Sequence, residues 1–173
     1  MKAIISQIYN WILTLFSSES NNADIPSKID DQEILVRILF SPNYVTADGT
    51  RLRPSAFRSP ALIDEVSVNR LQFCSPSFCK VQGKQMHAPT HKRSYFGLGV
   101  IRTSEVRQTK ANAIYTPKQD NTAHADIQVG FICQKGEQLP AEYQLKINEM
   151  SRVARLYKDP NIEVDHWTGP ELL

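Results

Sequence analysis

The sequence has little of what builds disulfide scaffolds, phosphate loops or membrane spans. Three cysteines in 173 residues, an odd number behind no convincing signal peptide, argue against a disulfide framework and for a reducing compartment. The seven glycines never fall into a Walker loop or a dinucleotide fingerprint, and G-x-S-x-G, H-E-x-x-H and EF-hand patterns are missing as well. No apolar run reaches the roughly 20 residues of a membrane span. No internal repeat or long low-complexity tract interrupts the chain.

What is present is the composition of a folding protein, 41% hydrophobic and 22% charged, of a length that suits one domain. The first stretch, MKAIISQIYNWILTLFSS, gathers Ser6, Gln7, Asn10 and Thr14 on one narrow stripe of a helix and leaves the wide face apolar. Residues 1–18 therefore read as an apolar helix that docks on the domain, on a protein partner or on a membrane surface, although Lys2 alone could meet anionic lipid. Residues 19–31, rich in Ser, Asn and Asp and broken by Pro26, read as a polar linker. The domain is expected over residues 32–160, with an irregular tail at 161–173 pinned by Trp167.

Inside the domain, EILVRILF at 33–40 is a continuous branched apolar run, the pattern of a strand covered on both faces. Asp48-Gly49 between extended stretches is a hairpin signal. Further strands are expected at 65–73, 95–102, 111–116 and 126–133, which makes five or six in all. One long helix is expected from about Pro140 to Tyr157, with Ile147, Met150, Val153, Ala154 and Tyr157 at helical spacing. Strands first and helix later predict an α+β fold, a largely antiparallel sheet with the C-terminal helix packed on one face.

Charge is segregated. Residues 51–118 hold twelve Lys and Arg against three Asp and Glu, whereas 1–50 and 119–173 are net acidic. Phe78 and Tyr95 stand among these cations as base-stacking platforms, and Arg51, Arg53, Lys80, Lys84, Lys92 and Arg93 as phosphate contacts, the pairing that single-stranded nucleic acid binding uses. The competing expectation is that the acidic ends fold back and cancel the basic middle.

Cys74, Cys79, His87 and His91 form C-x4-C then H-x3-H, which has the within-pair spacers of a zinc site. The seven residues between the pairs are too few for a C2H2 finger, and KVQGKQM is expected to close a tight loop, so a buried Cys74 at a strand end competes with the metal reading. No other cofactor is implied. Arg37 lies inside the most apolar strand and must find a carboxylate, a phosphate or carbonyls, with Asp64 or Glu65 as structural partners. His124, Asp126 and Gln128 alternate onto one strand face, where His and Asp can share a proton. Gly97 and Gly99 open a shallow groove on their strand.

Two functions follow as expectations. The first is a non-catalytic cytoplasmic binding module, peripheral at a membrane if residues 1–18 anchor it, whose basic segment engages nucleic acid or an acidic protein surface. The alternative is a small enzyme acting on a nucleotide or other phosphorylated substrate, with Arg37 and Arg70 holding phosphate and His124 with Asp126 moving protons. That alternative requires Arg37, Arg70, His124 and Asp126 to converge in a single pocket, and Arg37 and His124 on opposite sides of the sheet would end it.

Overall fold

The computed structural model describes residues 25–86 and 93–173. The expected apolar helix at 1–18, the first part of the linker, and His87, His91 and Lys92 lie outside the described residues. In chain order the elements are β1 (Ile34–Ser41), a 3-10 turn (Pro54–Phe57), β2 (Val66–Arg70), a second 3-10 turn (Leu71–Phe73), α1 (Pro76–Gln85), β3 (Ser94–Arg102), α2 (Thr103–Gln108), β4 (Asn112–Tyr115), β5 (His124–Gln128), α3 (Ala141–Val153) and β6 (Arg155–Lys158). The six strands make one sheet in the order β4-β5-β2-β1-β3-β6, and every pairing is antiparallel. The α+β class and the antiparallel sheet are as the sequence predicts. Among the described residues no helix is long and apolar enough to cross a membrane.

β1 explains the arrangement. Leu35 and Leu39 point into the larger apolar cluster, and Val36, Ile38 and Phe40 into a second cluster on the opposite face. The face of Leu35 is closed. Val66, Val68, Ile101, Ala125 and Ile127 fill it from the sheet, and Tyr143, Ile147 and Met150 of α3 cover it at helical spacing. The Tyr143 hydroxyl accepts from the Ser59 amide at 2.9 Å, which ties α3 to the segment after the first 3-10 turn.

The C-terminal helix is shorter than its periodicity predicts, and it rests chiefly on the 3-10 turn Pro54–Phe57 and on α2 rather than lying across the strands. It ends at Val153, Ala154 turns extended, and Arg155–Lys158 becomes the edge strand β6 beside β3. Leu156 packs on the closed side and Tyr157 on the other, a period of two that the helical reading absorbed by coincidence. Gly97 permits this pairing, because a Cβ there would stand 2.2 Å from the Tyr157 carbonyl oxygen. The expected groove over Gly97 is therefore occupied by the chain's own backbone.

Two helices were not expected. In α1, Ser75 caps the first turn by accepting from the Phe78 amide at 3.1 Å and Pro76 follows, so residues read as a tight loop continue as helix to Gln85. Gly83 lets α1 sit close on the sheet, since a Cβ would lie 2.4 Å from the Tyr95 ring and 2.8 Å from Ile38. The short α2 follows β3 directly, with Glu105 accepting from the Arg102 amide at its start. The Asp48-Gly49 signal forms a turn closed by a single bridge, Val45 to Leu52, with Gly49 at φ +67°.

Candidate functional site

The face opposite α3 divides in two. Over β1 and β3 it is apolar and covered by α1, whereas over β2 and β5 alternation presents Ser67, Asn69, His124 and Asp126. Asn69 stands directly across from His124, and Ser67 from Asp126. Between α1 and the turn Lys118–Asn121 lies a cleft of about 180 Å³, lined among others by Arg37, Asn69, Gln82, Lys118, Asn121 and His124.

Arg37 alternates with Leu35 and Leu39 of the closed side and bonds Ala56 there, yet it also lines the cleft, next to where the pairing of β1 with β2 at Leu35–Arg70 and Val36–Asn69 ends. Its Nε donates to the Ala56 carbonyl at 2.9 Å, Nη1 to the Ser67 carbonyl at 2.6 Å, and Nη2 to the Tyr44 hydroxyl at 3.2 Å. Among the described residues it forms no ion pair, so the expected pairing with Asp64 or Glu65 is not made; Asp64 caps the Val129 and Gly130 amides instead. Burial pushes the Arg37 pKa down, opposed chiefly by Tyr44 and then by the charge of Asp126. Its direct hydrogen bonds go to neutral oxygens, and the Asp126 charge acts on it without a direct ion pair, which leaves room for an anion beside it.

His124 is 4% exposed. Its Nδ1 donates to the Thr116 carbonyl at 2.8 Å, and the Thr116 hydroxyl donates to Asp126 Oδ2 at 2.7 Å. That carbonyl fixes the tautomer and leaves Nε2 as a bare acceptor, 3.9 Å from Asp126 Oδ1. Both atoms are buried and neither has a hydrogen-bond partner. Burial is the leading cause that lowers the His124 pKa below its ordinary 6.5, so the ring is neutral at neutral pH. A neutral imidazole with a free nitrogen beside a carboxylate can take a proton and be stabilised once it has it.

An amide network supports this corner. Asn121 Nδ2 donates to Asn69 Oδ1 at 2.7 Å, and Asn69 Nδ2 donates to Gln82 Oε1 at 3.1 Å. Asn121 Oδ1 is buried without a donor. Sequence reasoning missed all three amides. The alternation Val66, Val68 against Ser67, Asn69 carries a signal for Asn69, but Gln82 and Asn121 come from a helix and a turn that only the fold brings over.

The other expected site residues scatter. Arg70 is fully buried and grips both oxygens of Glu33, at 2.7 and 2.8 Å, and the Pro26 carbonyl at 2.6 Å, away from the cleft lining. Lys80 is equally buried and donates to Asp159 Oδ1 at 3.1 Å and to the Asn161 carbonyl at 2.6 Å. Lys84 pairs with Asp165, and Arg107 with Asp31. Among the described residues, four cations of the middle segment thus meet carboxylates from the acidic flanks. Tyr95 is buried beneath α1 and offers no ring face to a base, whereas Phe78 is half-buried. Arg93 lies over the Phe40 ring, and Arg51 and Arg53 are exposed.

The Cys74 and Cys79 sulfurs come within 3.8 Å of each other, while His87 and His91 are outside the described residues. Among the described residues no cluster of three His, Cys, Asp or Glu side chains is placed to hold a metal ion. Comparison with protein-family models, with curated proteins and with solved structures finds no match to the chain.

Proposed function

We propose that the cleft takes a small phosphorylated compound and that the protein acts on it as an enzyme, with Arg37 beside the phosphate and His124 accepting a proton from a ligand hydroxyl. The observation that carries this reading is the meeting of Arg37 and His124 on one cleft, from strands that are not neighbours. Arg37 brings a positive charge with no ion-pair partner among the described residues, and exposed Lys118 stands at the same opening, with exposed Asp120 beside it. His124 brings a neutral ring whose Nε2 is unpartnered but buried, so a ligand hydroxyl meets it only once the lining opens, and Asp126 Oδ1 lies 3.9 Å from that nitrogen, beside the imidazolium that would form. At about 180 Å³ the cleft is closer to one sugar or one ring than to a whole nucleotide, so any base would lie outside it.

The test is to titrate the protein with ribose 5-phosphate and with AMP while following the His124 ring protons by NMR. Either compound should shift them. A charge-assisted hydrogen bond is worth about 1.5–3 kcal/mol, so Arg37→Gln should weaken binding roughly tenfold to a hundredfold. Arg37 also straps β1 to its surroundings, so Lys118→Gln, at an exposed position, provides a second variant that should weaken binding without touching the fold. Unchanged His124 signals at millimolar ligand would end the proposal.

A second reading, engagement of a polyanion by the basic segment, is supported by Arg51, Arg53 and Arg58, which are exposed and, among the described residues, outside every ion pair. Binding of a single-stranded oligonucleotide should then weaken steeply with salt, and a flat salt dependence would remove it.

A further inference from the structure

The C-x4-C motif takes no part in the chemistry proposed for the cleft, yet the fold brings its two sulfurs together and connects one of them to the cleft. Cys74 ends the second 3-10 turn and Cys79 lies one turn into α1. Between them the Ser75 cap and Pro76 hold the chain in a tight turn, with the Cys79 amide donating to the Ser75 carbonyl at 3.3 Å. The sulfurs are 3.8 Å apart. A disulfide needs about 2.05 Å, so closing the bond requires the two sulfurs to move toward each other. Cys133 is elsewhere, in the loop after β5, where its carbonyl accepts from the Leu62 amide.

Cys79 is fully buried and its sulfur accepts from Asn69 Nδ2 at 3.3 Å. The same amide group donates to Gln82 Oε1 and accepts from Asn121 Nδ2, and all three side chains line the cleft. Turning the Cys79 sulfur toward Cys74 withdraws an acceptor from one of the two Asn69 N–H bonds. A buried amide without its partner reorients. Gln82 and Asn121 must then follow, and the cleft changes shape.

We propose that Cys74 and Cys79 form a reversible dithiol–disulfide pair, oxidised by a small-molecule disulfide such as glutathione disulfide, and that closing the bond rearranges the Asn69, Gln82 and Asn121 amides. Cys74, the less buried of the two, loses its proton, and its thiolate attacks one sulfur of the small disulfide. The expelled thiolate takes up the proton. The Cys79 thiolate then attacks the Cys74 sulfur of the mixed disulfide and releases the second small thiol, which takes up the Cys79 proton. Two protein thiols and one small disulfide become one protein disulfide and two small thiols. The hydrogen bond from Cys79, followed by burial, holds the Cys74 thiol above its ordinary pKa, so exchange is slow near neutrality and quickens as pH rises.

The experiment needs no ligand, so its outcome is independent of the cleft's proposed chemistry. The full chain carrying Cys133→Ser is incubated with glutathione disulfide at pH 8.5, then unfolded, alkylated and weighed. The expected product has lost two hydrogens, takes no alkylating reagent, and yields a peptide linking Cys74 to Cys79. Cys74→Ser abolishes it, and dithiothreitol reverses it. In the oxidised protein the side-chain amide resonances of Asn69, Gln82 and Asn121 move, while those of Asn148, on the exposed side of α3, stay in place. Persistence of both free thiols, or a linked pair with the three cleft amides unmoved, overturns the proposal.

Discussion

The two faces of the sheet are built from the same strands but to different ends. On the closed face every strand contributes apolar side chains, Tyr143, Ile147 and Met150 of α3 join the same cluster, and the buried Arg70 is matched by Glu33 at two short hydrogen bonds. On the other face the half over β1 and β3 is largely apolar, although it too buries an unpartnered group, the Tyr95 hydroxyl, while the half over β2 and β5 holds Asn121 Oδ1, His124 Nε2 and Asp126 Oδ1, all buried and without a partner among the described residues. A buried acceptor costs free energy unless a protein group, a water or a ligand meets it. The proposed site lies on the open face, and the closed one is filled by apolar packing.

The largest losses of stability are expected from the closed side. Glu33→Gln leaves the Arg70 guanidinium buried opposite a neutral amide, and breaking one partner of a buried pair costs about 3–5 kcal/mol. Urea unfolding should show that loss with little change in ligand contacts at the cleft. Next comes Gly83→Ala on the open side. Its Cβ would overlap the Tyr95 ring and Ile38, so α1 must lift, at a cost of about 1–3 kcal/mol for overpacking. This variant should also move the cleft, because Gln82 and Met86 ride on the same helix. A stability loss with the Asn69 and Asn121 amide signals unchanged would separate α1 from the site.

A smaller effect is expected at His124, and its sign discriminates between the faces. The folded protein holds the ring neutral below its ordinary pKa, so on acidification the unfolded chain takes up the proton first. Stability is full above about pH 6.5 and falls as pH drops toward the lowered folded value, with a slope of at most about 1.4 kcal/mol per pH unit for one group. His124→Gln should flatten that part of the profile in thermal melts between pH 7.5 and 5.5. A wild-type profile that rises on acidification would mean the ring is charged in the fold, and would remove it as a proton acceptor.

The closed face was largely legible in the sequence because its signals are local. ILVRILF, the alternation of VSVNR and HADIQ, and the apolar spacing in α3 each announce a strand or helix without reference to any other segment. The open face was read only in parts. Arg37, His124 and Asp126 stood out as polar residues in strand patterns, but α1 was hidden by Gly83 in its interior and by a weakly apolar stripe, since the helix meets the sheet through Cys79, Gly83 and the stem of Lys80. Gln82 and Asn121 could not be assigned to a site before α1 and the turn at Lys118–Asn121 were placed. The last turn of the expected C-terminal helix was misread because Val153, Ala154 and Tyr157 fit a period of 3.6 until Gly97 is seen to invite a strand.

The chain's two acidic flanks give the comparison its finest measure. Glu33 reaches Arg70 with both side chains almost wholly buried, whereas Asp165 reaches Lys84 on the open side with its carboxylate 77% exposed. Each bond cancels part of the basic middle segment, but solvent screens only the second. Lys84 also donates to the Glu163 carbonyl at 3.1 Å, and the adjacent tail is held by Trp167, whose amide donates to Ser77 Oγ at 2.8 Å. Lys84→Ala should therefore cost less than about 1 kcal/mol, the range of an exposed ion pair, and the cost should shrink further in 0.5 M salt. A loss of 2 kcal/mol or more, insensitive to salt, would mean that the tail clamps α1 as firmly as Glu33 holds Arg70, and the open face would then owe its shape to the C-terminus and not to the sheet beneath it.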